Sequence, residues 1–167
     1  PNSTLEILNG YIDKGWLLTP DYSIYKCACN CKDKEKCKYA GKHHIFSGDI
    51  ASKDKDQIKA WSEKWKHANW SVKCGKESGI IAFDIDPRNG GKRDSFPFPP
   101  TLEYRTGGGG WRLLYKYPDF LIDDNGNFGT GVELMVDKFM IVPPSLHISG
   151  GKYEWVNDLP IAELPQP

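Results

Sequence analysis

Two aspartates stand two residues apart, Asp84 and Asp86, at the end of the segment Gly79-Ile80-Ile81-Ala82-Phe83-Asp84-Ile85-Asp86. The run before them is short, apolar and β-branched, bounded by glycine and proline, which predicts a buried strand over 79–86. Residues two apart on a strand share a face, so the carboxylates project together while Ile85 turns into the core. Two neighbouring carboxylates resist joint ionisation, and a divalent cation relieves the repulsion. Oxygen-only ligands suit Mg²⁺ or Mn²⁺. The plainer alternative is a strand end facing solvent.

A second concentration of chemistry lies in Lys26 to His44, KCACNCKDKEKCKYAGKHH. Its lysines exclude a core strand and its pattern excludes a helix, leaving a loop that needs a reason to be ordered. Cys29, Cys31, Cys37 and His43 supply sulfur and nitrogen ligands suited to tetrahedral Zn²⁺, which can fold a loop that has no core of its own. The spacing leaves open which of Cys27, Cys29 and His44 take part, and free thiols are the alternative. A closed four-ligand set has no position for substrate, so the metal would be structural. Cys74, the fifth of the five cysteines, reads as a small buried hydrophobe.

Basic and glycine-rich segments surround the carboxylates. Arg88, Lys92 and Arg93 follow them directly and could neutralise the phosphates of a metal-bound nucleotide, or simply line a solvated loop. Gly107 to Gly110 separate two apparent strands, 101–105 and 111–115. Such a turn lets backbone N–H groups make an anion-binding concavity, although a plain hairpin loop accepts glycine too. Arg112 opens the outgoing strand with a guanidinium fork suited to phosphate.

The elements that must position these groups read in order. Thr4 to Lys14 has helical spacing, with Thr4 as N-cap and Gly15 as stop. Trp16 to Leu18 reads as a strand stopped by Pro20. Residues 52–66 form an amphipathic helix capped by Ser52, with Ile58, Trp61 and Trp65 on one face and a solvated lysine face opposite. Asn69 to Val72 is a short strand and 87–100 a loop. Asp119 to Thr130 is a polar loop whose Asp123 and Asp124 only superficially suggest calcium binding. Gly131 to Val142 reads as two strands around a turn at Asp137-Lys138, and Tyr153 to Trp155 as the last strand.

The chain has 167 residues, 39% apolar and 13% aromatic, which suits one domain, 1–167, with a real core and excludes a disordered chain. Lys+Arg and Asp+Glu are both 22, so a generic nucleic-acid coat protein is disfavoured. No apolar run reaches membrane-spanning length and no secretory signal is visible, which points to a reducing cytoplasm. The start at Pro1 and the proline-rich tail, a linker from about residue 158, suggest a piece of a longer protein.

Taken together, the Cys/His loop ending in Gly41-Lys42-His43, the strand with Asp84-Ile85-Asp86, the glycine hairpin, and Gly131-Val132-Glu133 followed by Pro143-Pro144-Ser145 resemble the bifunctional primase–polymerase (prim-pol) N-terminal domain of the archaeo-eukaryotic primase superfamily. The resemblance covers roughly residues 5 to 160. It implies an α+β fold, an RRM-like mixed β-sheet flanked by helices, here with a small zinc-binding loop inserted at 26–44. It also implies a DNA primase and DNA-directed polymerase, part of a mobile-element replication protein, that joins nucleotides by a two-metal mechanism. Asp84 and Asp86 match the family's paired aspartates, and Glu133 stands where its third carboxylate, usually Asp, is found. Catalysis and Mg²⁺ or Mn²⁺ binding fall to these three. Gly109, Gly110, Arg112, Lys92, Arg93, Ser145 and His147 are assigned to the nucleotide. Arg112 departs from the family, which has histidine there. The implied partners are a single-stranded DNA template and primer, dNTP or NTP, and a helicase domain in the same full-length protein. Two rivals stand beside this reading: a catalytically impaired nucleotide-binding module, and a metal-dependent phosphodiesterase with His147 as its histidine.

Overall fold

The structure is a computed structural model that describes residues 3–120 and 125–166. It is an α+β arrangement of two helices and eleven strands among those residues. In chain order these are α1 (Ser3–Asp13), β1 (Leu17–Asp21), β2 (Ile24–Tyr25), β3 (Ala28–Cys29), α2 (Lys55–Lys64), β4 (Asn69–Lys73) and β5 (Ile80–Ile85). They continue with β6 (Glu103–Arg105), β7 (Trp111–Lys116), β8 (Gly126–Gly129), β9 (Val132–Met135), β10 (Phe139–Ile141) and β11 (Glu154–Trp155).

The larger sheet runs β11-β6-β7-β5-β9-β8 and a smaller one β1-β4-β10, while β2 and β3 form a hairpin of their own. All pairings between these strands are antiparallel, and a single isolated bridge, Tyr115 to Ala162, is parallel. The expected mixed sheet is therefore antiparallel. Both α-helices of the described residues precede β4, so among those residues no helical crossover of the kind that joins parallel neighbours links the strands that follow.

β5 lies at the centre, and its alternation sorts the core. Ile80 and Ala82 face a cluster with Leu8, Trp16, Ile58, Trp70 and Tyr104, which packs the helices and small sheet on one side. Ile81, Phe83 and Ile85 face the other side, with Leu113, Tyr115, Phe96 and Phe98. Both faces are covered, which explains a continuous apolar run in place of strict alternation. Cys74 is fully buried, and burial pushes its thiol up to about 12.

Several boundaries differ from the sequence reading. Pro20 does not stop β1, which runs to Asp21, because β1 is an edge strand and proline's missing N–H is tolerated there. Ser52 is not the helix cap. Its backbone exchanges hydrogen bonds with Leu18, and Asp54 caps α2 by accepting from the Asp56 and Gln57 amides. The polar segment 119–130 contains β8, while Asp123 and Asp124 lie outside the described residues. The strands around Asp137-Lys138 are present, but β9 joins the larger sheet and β10 the smaller. The Asn125 side chain accepts from the Val136 and Asp137 amides, which satisfies the backbone where the chain leaves one sheet for the other. No helix among the described residues is long and apolar enough to cross a membrane.

Candidate active site and metal centre

Register places the carboxylates. Asp84 on central β5 stands opposite Arg112 on β7 and opposite Glu133 on β9. Tyr104 on β6 faces Arg112, and Asn127 on β8 faces Glu133. Facing residues point to the same side of a sheet, so one row of polar groups crosses five strands. Asp86, two residues after Asp84 and still in extended conformation, joins that face.

Asp86 is fixed by its backbone. Its N–H donates to the Gly131 carbonyl at 2.8 Å, and its own carbonyl accepts from the Gly91 N–H at 2.9 Å. A Cβ on Gly131, where φ is +68°, would lie 2.1 Å from the Gly91 nitrogen. Only glycine allows the two loops to close so tightly around the aspartate.

Each carboxylate holds its own cation. Arg112 Nε donates to Asp84 Oδ1 at 3.0 Å, and its Nη1 donates to the Tyr104 hydroxyl and the Ile141 carbonyl at 3.2 and 3.1 Å. Arg88 Nε donates to Asp86 Oδ1 at 3.2 Å, and Lys138 Nζ to Glu133 Oε1. The last two cations are the more exposed: the Arg88 and Lys138 side chains are 65% and 47% exposed, against 17% for Arg112. Burial by itself would lower the Arg112 pKa, but Tyr104 and Asp84 override it and keep the guanidinium charged. Burial also raises the Tyr104 hydroxyl, so it stays protonated.

Asp84 and Asp86 form a wall between two concavities. One, about 80 Å³, is basic and is lined by Lys42, Arg88, Arg112, His147, Gly110 and Tyr153 in addition to the aspartates. The other, about 480 Å³, is lined by both aspartates, Glu133, Asn89 and Asn127. Asp84, Asp86 and Glu133 line one groove, each paired with a cation, and as placed their oxygens do not gather into a ligand cluster as the donor atoms of the thiol loop do.

The basic pocket differs from the assignment by sequence. Arg112 and Gly110 line it, as does His147. Lys92 lies instead with Phe96 and Phe128 beside a separate depression. Arg93 is held by Glu103 through two bonds of 2.9 and 2.8 Å. The Ser145 hydroxyl bonds the Trp70 backbone in the core, accepting from its N–H at 2.9 Å. The Gly109 carbonyl accepts from Arg105. These four sit outside the pocket: a backbone partner holds Ser145, a closer carboxylate holds Arg93, the Arg105 side chain holds the Gly109 carbonyl, and Lys92 lines another depression. The glycine run has a steric reason: a Cβ on Gly107 would lie 2.2 Å from His147 Cβ, and one on Gly110 would lie 2.6 Å from the Ile85 carbonyl.

His147 enters from the far side of that run. The Ser149 amide donates to its Nδ1 at 3.1 Å, which leaves the proton on Nε2. A Cβ on Gly108 would lie 3.2 Å from that Nε2, so the ring offers the pocket an N–H donor. Burial, then the charges of Lys42 and Arg88, lower its pKa and keep the ring neutral. Lys42 was missed by sequence reasoning. Its only signal was its place in Gly41-Lys42-His43, beside a metal-ligand candidate.

The thiol loop is resolved more sharply. Donor atoms of Cys29, Cys31, Cys37 and His43 lie within 4.8 Å of one another. His43 Nε2 stands 3.4 Å from Cys29 Sγ and 3.5 Å from Cys37 Sγ. Tetrahedral zinc requires about 3.6 Å between such donors, so the set fits. Cys27 is exposed and outside it. His44 is also outside, bonded through Nδ1 to Asp21. Burial pushes the Cys37 thiol up to about 11. For Cys31 burial is outweighed by the Asp33 and Lys34 amides and the neighbouring thiols, which lower it.

An antiparallel α+β domain with a carboxylate row beside a basic pocket, and a Cys₃His cluster nearby, is the class that fold and site define. A family model described as bifunctional DNA primase/polymerase, N-terminal, matches residues 10–167, and the chain belongs to that family. Membership makes it a domain of the DNA primase/polymerase type, a nucleotidyltransferase class that binds DNA and nucleotide. No curated protein matches the chain.

Proposed function

We propose that this domain is a template-dependent nucleotidyltransferase that synthesises primers and extends DNA. The observation that carries the reading is the wall formed by Asp84 and Asp86 between a basic pocket and a carboxylate groove. This division suits nucleotidyl transfer, with one side to bind the triphosphate and the other to accept the primer end. Asp84, Asp86 and Glu133 would hold two Mg²⁺ or Mn²⁺ ions. Such ions activate a 3′-hydroxyl and stabilise the leaving pyrophosphate. Lys42, Arg88 and the His147 Nε2–H would bind phosphate oxygens. Arg112 keeps Asp84 oriented. The family resemblance extends the reading to an RRM-like frame, a cytoplasmic mobile-element replication protein and a helicase domain in the same protein.

A primer-synthesis and primer-extension assay on single-stranded template, with Mg²⁺ or Mn²⁺, tests this beside an Asp84→Asn/Asp86→Asn variant. Incorporation by the wild type and its loss in the variant are expected. A second reading, a nucleotide-binding module without turnover, draws on the Arg112–Asp84 ion pair at 3.0 Å, which neutralises one carboxylate of the groove. Nucleotide binding without incorporation would favour it.

A further inference from the structure

Three cations line the basic pocket, Lys42, Arg88 and Arg112. Two are already committed, Arg88 to Asp86 and Arg112 to Asp84. Lys42 forms no ion pair among the described residues, so it supplies the pocket's surplus positive charge. It reaches the pocket from the thiol loop, not from either sheet.

Its backbone is held by the cluster on both sides. The Gly41 N–H before it donates to Cys29 Sγ at 3.4 Å, and the Gly41 carbonyl accepts from Asn69 at 2.9 Å. After it comes His43, whose Nε2 lies among the cysteine sulfurs and whose ring packs on Tyr22 at 4.6 Å. The loop is also tied to the fold by its β2–β3 hairpin and by backbone bonds, Tyr22 N–H to the His43 carbonyl and Asn30 N–H to the Ser23 carbonyl, both at 2.9 Å. Lys26, Cys27 and Lys34 all have positive φ, of 49°, 63° and 50°, a conformation that L-residues adopt at a cost. Metal ligation would add a further term that offsets that cost.

We infer that Lys42 is a triphosphate-binding residue positioned by the metal in the thiol loop, so that loading the Cys₃His cluster and binding nucleotide are thermodynamically coupled. The inference rests on the nucleotidyltransferase reading and adds to it the linkage between metal loading and nucleotide affinity. A lysine on an unordered loop loses conformational freedom when it grips a phosphate, and one fixed beforehand does not. Linkage makes the effect reciprocal: whatever factor zinc adds to nucleotide affinity, nucleotide adds to zinc affinity.

The test uses the whole zinc-loaded chain, dATP as probe and excess Mg²⁺ so that the nucleotide does not extract zinc. Calorimetry gives the dATP affinity of wild type and Lys42→Ala, and competition with a chelating dye gives zinc affinity with and without dATP. Lys42→Ala should weaken dATP binding roughly tenfold, the effect of one charge-assisted hydrogen bond. Saturating dATP should raise the zinc affinity of the wild type and leave that of Lys42→Ala unchanged. Wild-type zinc affinity that ignores bound dATP, or undiminished dATP binding by Lys42→Ala, overturns the coupling and leaves the nucleotide site standing. Absence of dATP binding by the zinc-loaded wild type would overturn the site itself.

Discussion

Arg112 and Asp84 face each other across β7 and β5, and the guanidinium Nε–H reaches Asp84 Oδ1 at 3.0 Å. The arginine is therefore not a free phosphate clamp at the mouth of a hairpin. Tyr104 and the Ile141 carbonyl hold its other end, so it acts as a strut from the small sheet to the central carboxylate.

Replacing that strut should do damage. Histidine at 112 is too short to reach Asp84, Tyr104 and Ile141 together. Arg112→His should lower stability by about 1 to 3 kcal/mol and reduce nucleotide incorporation. Denaturant melts with parallel extension assays measure both. Higher turnover in the variant would return position 112 to a direct phosphate role.

Removing the partner instead separates chemistry from folding. Asp84→Asn retains an acceptor for the Arg112 Nε–H and should stay folded while incorporation falls at least about a hundredfold. Asp84→Ala should lose the same activity and also about 2 to 3 kcal/mol of stability, because it leaves a largely buried guanidinium unpaired. Asp84→Ala as stable as the wild type would show that the ion pair contributes nothing to the fold.

Metal content discriminates among the cysteines. Protein prepared without chelator should carry about one zinc per chain. Cys29→Ser and Cys37→Ser should lose it, while exposed Cys27→Ser keeps it. Mass spectrometry under native conditions reads the stoichiometry, and a zinc-free but fully folded wild type would remove the metal from the loop.

His147 predicts a pH signature. Its pKa is lowered in the folded chain, so the unfolded chain binds the proton more readily. Stability should therefore rise with pH. The His147 contribution is fully present above about pH 6.5, the unfolded value, and is lost as pH falls through the lower folded value. Urea titrations of wild type and His147→Gln across this range should converge above pH 7 and diverge below pH 6 through loss of wild-type stability. Parallel curves would mean that the ring is not held neutral.

Local chemistry was legible where sequence neighbours do the work. The paired aspartates, the central strand and the cysteine cluster all depend on spacings of a few residues, and strand period and metal geometry read such spacings directly. Ser145, Lys92 and Arg93 illustrate the opposite case. Each has a side chain suited to phosphate, yet Trp70, a separate depression and Glu103 claim them, and those neighbours are set by folding. Pro20 and Ser52 misled for the same reason, since an edge position and a bridge to Leu18 are properties of the sheet.

The sequence by itself determined that Asp84 and Asp86 share a face, that the thiol loop carries a ligand set suited to a metal, and that the chain resembles the prim-pol family. Only the tertiary structure decided which cations meet the carboxylates. Arg112 reached Asp84 by strand register, and Lys42 and His147 came to the same pocket from segments about a hundred residues apart in the chain. The physical reason is range. A strand's alternation is fixed by the covalent geometry of adjacent residues, whereas a pocket is assembled by long-range pairings that burial of the whole core selects.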